Sequence, residues 1–267
     1  MKLMIRSAIL FLCLLSLATV TLSSPGKEQD NESKARLLWE QAIAAKGGRE
    51  KLYGVRSLVV SYTETVRNFL GIVVHRGDVE QLYVFPDKSW AWDDGLPPPF
   101  HRTIRSLDIE HDRRCVLYHN ATEPKCDHAR TTTKSDPDEG LVQVQYLYLM
   151  ETKWVQPVPF DVSTDWIGLK KVDVVHTRFR NKRIDYWLDR KTHLPLRVSR
   201  FHGSNEKPTY TIDISNYANV EGIQMPQKQK RGKISFQLNP EYDDTIFTRL
   251  SFAAGPKAWR KSEQLQK

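Results

Sequence analysis

The sequence lacks the motifs by which nucleophilic, phosphate-binding and metal sites are usually recognised. It has no G-x-S-x-G elbow, no glycine-rich phosphate loop and no cysteine–histidine constellation. None of its eight histidines forms a close pair at helical ligand spacing. The best metal-like cluster, DIEHD at 108–112, would still need ligands from elsewhere, and we interpret it as a solvated polar edge. The sequence therefore indicates no catalytic residue, no cofactor and no metal site.

Long apolar runs are also missing, except at the N-terminus. Lys2 and Arg6 precede AILFLCLLSLATVTL, an apolar run ending in small residues, which is the layout of a secretory signal peptide. We predict a signal peptide at 1–24, and a mature chain that is periplasmic or secreted after its cleavage. No other run approaches the roughly 18 apolar residues of a membrane-spanning helix. With no linker in mid-chain, residues 25–267 are predicted to form a single domain.

Cysteine is scarce: the chain has three, and Cys13 lies within the apolar N-terminal run. Cys115 and Cys126 remain in CVLYHNATEPKC, and in an oxidising compartment a pair this close favours a disulfide over a metal site or a nucleophile. By loop-closure arguments such a link contributes on the order of 2–3 kcal/mol.

The excess of basic residues is moderate. After residues 1–24 are removed, 38 Lys and Arg stand against 32 Asp and Glu, a net charge of +6. The densest run, QKQKRGK at 227–233, comes with no nucleic-acid motif, so it indicates a solvated strand edge and no nucleic-acid partner. An exported basic protein can still make transient contact with an anionic membrane surface.

Alternating strands dominate what the sequence does contain. A helix is predicted from Ser33 to Gly47–Gly48, with Leu38, Ala42 and Ala45 in its apolar stripe. The strands that follow are separated by short turns without a βαβ rhythm, so the sheet should be antiparallel. Strands are predicted at 57–66, 78–92, 170–179, 209–217, 222–233 and 234–239, with a hairpin over 183–201.

The middle of the chain is the least informative. Residues 93–140 contain two proline-bearing loops around the cysteine pair and receive no assignment. Residues 141–152 lack Gly and Pro and are apolar nearly all round, which fits a helix or a buried strand, and we favour a helix.

One strand face combines aliphatic and aromatic residues. Such a face needs a cover, and incomplete packing beneath the cover would leave a cavity suited to a lipid tail. A packed core gives the same pattern, so both interpretations stay open. The candidate cavity residues are Leu38, Leu58, Val60, Tyr62, Tyr83, Phe85, Tyr186, Leu188, Leu196, Val198, Tyr210 and Ile212.

Two carboxylates on the opposite face of the hairpin, Asp185 and Asp189, are the pair to inspect for acid–base chemistry. Salt bridges to Arg183 and Arg197 are the stronger interpretation of both.

Four stretches carry a family resemblance: AIAAKGGREKLYGVRSLVVSYTE (42–64), IDYWLDRKTHLPLRV (184–198), DISNYANVEGIQMPQK (213–228) and NPEYDDTIF (239–247). In order and content they resemble exported bacterial proteins of the LolA/LolB-like group, which includes outer-membrane lipoprotein-sorting proteins. The matches cover the N-terminal third and the last ninety residues. The cysteine pair and the proline-rich loops are not features of the dedicated carriers, so the chain resembles a divergent member, and no lipoprotein-handling residue is transferred to it.

The resemblance implies a mainly β (α+β) fold. It predicts a strongly curved antiparallel sheet, an unclosed half-barrel around the N-terminal helix and a central lid helix. It also implies a monomeric binding or carrier protein for a lipid, a lipoprotein acyl chain or a similar amphiphile. Because fold does not fix activity, two alternatives remain: an enzyme acting on an apolar substrate in the same cavity, and a non-catalytic structural envelope protein.

Overall fold

The computed structural model describes residues 25–94, 100–107, 111–118, 121–131, 139–202, 207–229, 232–252 and 255–261. The predicted signal peptide lies outside the described residues, as does most of the DIEHD cluster. Among the described helices, none is both long enough and apolar enough to cross a membrane.

Helix α1 (Pro25–Lys46) is longer than the sequence pattern predicted, since it begins eight residues before Ser33. Proline is well tolerated in a first helical turn, and the polar residues that follow favour a helix, with Glu32 and Arg36 forming an i,i+4 ion pair. Its buried face is Ala35, Trp39, Ala42, Ile43 and Lys46, so Leu38 is half-buried at the margin. The helix ends at Gly47 and Gly48, both at positive φ, as expected.

Three further helical segments are short. Helix α2 (Arg49–Gly54) follows α1 directly, and a single 3₁₀ turn covers Asp244–Phe247. Helix α3 (Glu139–Val144) continues into a π-helical turn (Gln145–Leu149). The predicted helix at 141–152 is therefore confirmed against the strand alternative, although it ends at Leu149.

The remaining architecture is one antiparallel sheet of thirteen strands, unclosed, which confirms the predicted mainly β fold class. Its spatial order is β6-β5-β4-β3-β2-β1-β13-β12-β11-β10-β9-β8-β7, so the first and last strands of the chain pair at its centre. The strands are β1 (Ser57–Arg67), β2 (Val73–Val84), β3 (Lys88–Asp93), β4 (Phe100–Leu107), β5 (His111–Tyr118), β6 (Lys125–Thr131), β7 (Val158–Ile167), β8 (Lys170–Phe179), β9 (Lys182–Asp189), β10 (Pro195–His202), β11 (Tyr210–Val220), β12 (Ile223–Gln229) and β13 (Gly232–Leu238).

Two predicted strands differ most from the structure in their bounds. The segment 78–92 is split between β2 and β3, because Phe85 donates its N–H to the Arg56 carbonyl at 2.9 Å and Pro86 has no N–H for a ladder. The segment 222–233 ends at Gln229, and Gly232 already begins β13.

The unassigned middle contributes strands β4, β5 and β6, and β7 was also missed. Charged residues such as Arg102, Arg105 and Arg113 interrupt the apolar alternation there. The Cys115–Cys126 disulfide is present and joins directly opposed residues of β5 and β6, with an S–S distance of 2.08 Å.

Two apolar clusters lie on opposite sides of the sheet. The larger one fills the concave side, between the sheet, α1 and the α3–π segment. The smaller one lies on the outer side, where the C-terminal segment brings Ile246, Phe247 and Trp259 against Leu82 and Trp90. Phe247 is held there by its carbonyl, which accepts from Ser106 at 3.0 Å and Arg113 at 2.8 Å.

Candidate functional site

The concave face brings together most of the residues predicted to line a cavity. Six lie in the buried cluster, namely Leu58, Val60, Phe85, Tyr186, Leu188 and Val198. Five pack against that cluster while partly exposed, namely Leu38, Tyr62, Tyr83, Tyr210 and Ile212. For those that lie on strands, alternation explains this, since their side chains point to the concave face of the sheet.

Leu196 is the one predicted residue that does not join the cluster. Pro195 pairs with Leu188 and Arg197 with Trp187, so the register shifts by one residue at Leu196. A bulge of this kind leaves the extra residue outside the ladder. Alternation counted from the sequence had placed Leu196 on the apolar face because it could not register the bulge.

The cover over the concave face consists of two helical segments. The Trp39 ring of α1 contacts Tyr186 edge-on, with ring centroids 5.0 Å apart. From the π turn, the Tyr148 ring meets Phe236 of β13 at 4.9 Å. In this arrangement the concave face is occupied by side chains of the cover.

Glu151 anchors the C-terminal end of the α3–π segment to helices α1 and α2 through hydrogen bonds. Its carboxylate accepts from Trp39 Nε1 at 3.1 Å, from Arg49 Nε at 2.8 Å and from the Tyr53 hydroxyl. Burial alone would raise the pKa of Glu151, but hydrogen bonds from Arg49, Tyr53 and Trp39 hold it below its usual range. Glu151 is therefore a buried anion whose charge is matched by Arg49.

Glu139 fastens the other end of the same segment at the surface. It pairs with Lys182 at 3.1 Å and also with Arg200, so it joins α3 to β9 and β10. The hydrogen bond from Lys182 lowers the pKa of the Glu139 carboxyl. We define the cover segment as residues 139–151, which are held to the sheet and helices by polar contacts at both ends.

The buried tyrosines of the concave side are neutral. Tyr186 donates its hydroxyl to the Tyr146 carbonyl at 3.0 Å, and the Gln229 amide donates to the Tyr148 hydroxyl. Burial raises the pKa of Tyr146, Tyr148, Tyr186 and Tyr217 above the ordinary range. The four phenols therefore stay protonated at physiological pH and put no negative charge on the concave side.

Lys46 is a buried cation at the end of α1. It is 1% exposed, its amine donates to the Gln224 carbonyl of β12, and it lies 5.0 Å from the Tyr217 ring centre. Among the described residues no carboxylate pairs with it. Burial lowers the pKa of Lys46 to about 7.

Lys46 lies beside strand β12, next to the part of the sheet where β12 and β13 separate. Strands β12 and β13 are paired through Lys228–Lys233 and Gln229–Gly232 at their hairpin end, and no further pairs join them in the described residues. The α1–α2 corner fills the other end of this gap. A Cβ on Gly47 would come within 2.5 Å of the Gly222 carbonyl oxygen, so only glycine permits this contact.

A groove of about 860 Å³ lies near the same hairpin, chiefly on the outer side. Ser61, Thr63 and Ser235 line it, alternating along β1 and β13 with residues of the concave cluster. Lys228, Lys233 and Lys257 contribute positive charge, and Asp78 and Glu80 contribute negative charge. Of the predicted cavity residues, Tyr62 borders this groove.

The hairpin carboxylates have ion-pair partners, and one of these partners was expected. Asp185 is buried and lies 3.0 Å from His176 Nδ1 and 3.3 Å from Arg183 Nε, so only the Arg183 contact was expected. Asp189 pairs with Lys170 and accepts from the backbone N–H groups of Lys191 and Thr192, which shapes the hairpin turn. Arg197 instead pairs with Asp213 at 2.6 Å.

Ser163 extends the Asp185–His176 contact, since its Oγ lies 2.9 Å from His176 Nε2. Serine, histidine and aspartate in this order are the components of a hydrolase catalytic triad. Such a triad also requires hydrogen-bond donors for the oxyanion and a site for the reacting group. Here the three side chains project from neighbouring strands on the outer face, away from the apolar concave side. We interpret them as polar contacts that compensate the buried Asp185 carboxylate.

Sequence reasoning missed Lys46, Glu151, Tyr146 and Tyr148. Lys46 had a detectable signal, because it follows Trp39, Ala42 and Ile43 at the i, i+3, i+4 and i+7 positions of one helical face. Glu151 had none, because its partners are about a hundred residues away in the sequence.

Fold and site together define a single-sheet half-barrel with a helical cover over an apolar concave face. A LolA superfamily protein from Nitrosomonas europaea is similar to it, with 13% identity, a TM-score of 0.47, and coverage of 80% of this chain and 97% of that one. A domain described as an outer membrane lipoprotein-sorting protein domain, from Vibrio parahaemolyticus, shows 11% identity, a TM-score of 0.42, and coverage of 81% and 97%.

A DUF1329 family protein from Desulfovibrio piger is also similar, with 10% identity, a TM-score of 0.44, and coverage of 82% of this chain and 98% of that one. No protein-family model matches the chain, and no curated protein matches it in sequence. Two of these structures bear the names of the group that the sequence resembles. At these identities the likeness concerns the fold and does not identify a ligand.

Proposed function

We propose that this chain is a binding or carrier protein for the acyl chain of a lipid, a lipoprotein or a similar amphiphile. The proposal rests on how the helical cover is attached over the concave face. An apolar, partly aromatic sheet face is closed by helical segments, one of which is fastened by polar contacts at its two ends.

Binding requires the cover segment to move, because its side chains occupy the concave face. Glu139 and Glu151 lie at the two ends of this segment, and the residue before Glu151, Met150, has a φ of 68°. An acyl chain that replaces Leu147 and Leu149 against the sheet would exchange one set of apolar contacts for another. The net cost is then mainly that of breaking the polar contacts at the segment ends.

The concave face suits an uncharged tail. Its aliphatic side chains and neutral phenols offer burial without a charge to desolvate, and burying apolar area contributes about 25 cal/mol per Å². A polar or charged headgroup would stay outside the cluster. We propose that the protein works as a monomer in the periplasm or another extracellular compartment, where the Cys115–Cys126 disulfide is stable.

A fluorescent fatty-acid probe tests the proposal. Wild-type protein should take up the probe with an emission increase, and Ile212→Gln should weaken uptake about tenfold, because it places an amide on the concave face. Thr211→Gln is the matched control, since Thr211 is the next residue on β11 and is exposed on the outer face, where it bonds to Ser199. Its uptake should equal that of the wild type. Absence of uptake by the wild type, or equal loss in both variants, would contradict binding at the concave face.

A further inference from the structure

The hairpin of β1 and β2 extends beyond the rest of the sheet. The last β1–β13 pair is Tyr62–Ile234, and the last β2–β3 pair is Val79–Asp93. Beyond them, β1 and β2 continue to pair with each other up to Arg67 and Val73. At about 3.3 Å per residue, this hairpin projects roughly 15 Å past its neighbours among the described strands. We call residues 63–78 the finger.

The tip of the finger is apolar and exposed. Phe69 is 94% exposed, and its neighbours along the tip are exposed by about half or more. The exposed side chains are Phe69, Leu70, Ile72, Val73 and Val74. Consecutive strand residues point to opposite faces, so packing against one surface of a folded partner would cover only part of this tip. A fluid apolar medium would cover both faces at once.

Several backbone groups at the tip are hydrogen-bonded within the loop. Asn68 Oδ1 accepts from the N–H groups of Leu70 and Ile72, each at 3.0 Å. The Asn68 N–H donates to the Ile72 carbonyl, and the Gly71 N–H donates to the Asn68 carbonyl, each at 2.9 Å. Arg67 Nη1 donates to the Gly71 carbonyl at 2.8 Å. Unpaired backbone groups usually keep a loop out of lipid, and this loop pairs four of its N–H groups internally, those of Asn68, Leu70, Gly71 and Ile72.

The charge around the tip has one sign. Between Glu64 and Asp78 the sequence contains Arg67, His75 and Arg76 and no acidic residue. Lys233 and Lys228 lie at the base of the finger, on the adjoining β12–β13 hairpin. Basic residues next to an apolar tip complement a surface of anionic headgroups.

We propose that the finger inserts its tip into an anionic lipid bilayer surface and so docks the protein there. Residues 69–74 enter the boundary between headgroups and acyl chains, which interfacial segments penetrate by about 5–10 Å. Arg67 and Arg76 then lie at headgroup level. This docking does not require a ligand on the concave face, so it can hold or fail independently of the proposed carrier function.

The β7–β8 hairpin supplies a matched control. Its tip exposes Trp166 and Leu169, the latter by 99%, next to Lys170 and Lys171. Because seven strand reversals separate β1 from β7 in the sheet order, the two hairpins point to opposite ends of the sheet. Variants that remove similar apolar surface from each tip therefore distinguish docking through the finger from non-specific hydrophobic adsorption.

Vesicle flotation tests the proposal with the chain from Pro25 to Lys267, which contains every described element. With phosphatidylglycerol-containing vesicles at low salt, the wild type should float, and Phe69→Ser/Leu70→Ser should reduce the bound fraction at least tenfold. Trp166→Ser/Leu169→Ser should bind like the wild type, and pure phosphatidylcholine should bind at least tenfold less protein. A thermal melt confirms that each variant is folded, since all four side chains are exposed.

Three results would overturn the docking proposal. They are a wild type that does not float, a finger variant that binds like the wild type, and a control variant that loses binding equally. A change of oligomeric state in the finger variant without a change in flotation would assign the tip to a second copy of the chain instead. In support, Asn68→Ala should weaken flotation although it removes no apolar surface, because it leaves the Leu70 and Ile72 N–H groups unpaired.

Discussion

At the scale of single residues, two buried charged groups at the cover contrast in how they are compensated. Glu151 is surrounded by three donors, whereas Lys46 has a carbonyl oxygen and an aromatic ring and no carboxylate among the described residues. Removing the partners of a buried charge is costly, whereas removing an uncompensated charge is favourable. The two residues should therefore respond oppositely to neutralisation.

Replacing Lys46 by methionine should stabilise the protein and flatten its pH dependence. Burial lowers the pKa of Lys46 to about 7, below its unfolded value, so the unfolded state binds the proton more tightly. The cost is full below pH 7 and disappears as pH rises toward the unfolded pKa. In urea unfolding, the wild-type free energy of unfolding should be higher at pH 9 than at pH 6 by on the order of 2 kcal/mol. The Lys46→Met variant should lack this increase. Lys51→Met, beside Gly222, should keep the wild-type slope, and an unchanged slope in Lys46→Met would disprove this role.

Replacing Glu151 by glutamine should destabilise the protein by about 2 kcal/mol, because Arg49 and two neutral donors lose a charged acceptor. Because the pKa of Glu151 is lowered in the folded state, its carboxylate stabilises the fold at neutral pH. This stabilisation is lost as the pH falls through the folded pKa. Glu40→Gln is the control, since Glu40 binds the same Arg49 at the surface and should cost under about 0.5 kcal/mol. Equal effects of the two variants in urea unfolding would contradict a special role for Glu151.

At the scale of elements, the chain is a set of hairpins whose ends differ in character. The finger ends in apolar side chains, the β9–β10 hairpin ends in a turn shaped by Asp189, and the β5–β6 hairpin is cross-linked. Alternation found β1, β8 and the β9–β10 hairpin, since each buries one face in the large cluster. It missed β4, β5 and β6, where arginines and polar residues break the apolar pattern.

The cross-link should act locally. Replacing Cys115 and Cys126 by alanine should lower stability by about 2–3 kcal/mol at most, following the loop-closure estimate for a link of this span. Hydrogen exchange should accelerate in β5 and β6, which lie at one edge of the sheet, and should be unchanged in β9 and β10. Faster exchange throughout the sheet would show that the disulfide supports the whole fold.

At the scale of the whole molecule, the unclosed sheet and its helical cover pack around one large apolar cluster, and only two residue pairs join β12 to β13 in the described residues. The sequence was sufficient for the fold class, the disulfide and eleven residues of the concave cluster, because period-two alternation records which face is buried. It could not distinguish a cavity from a packed core, nor locate the Leu196 bulge or the Glu151 contacts. Those depend on register and on pairs about a hundred residues apart.

The most direct test of the proposed binding function is native mass spectrometry, with lipid extraction, on protein purified without denaturation from its native compartment. We predict a bound species heavier than the chain by the mass of one amphiphile, which extraction would release and identify. The concave-face variant Ile212→Gln should lose this species, and Thr211→Gln should retain it. Protein that carries no amphiphile and also fails to take up the fatty-acid probe would contradict the proposed binding function.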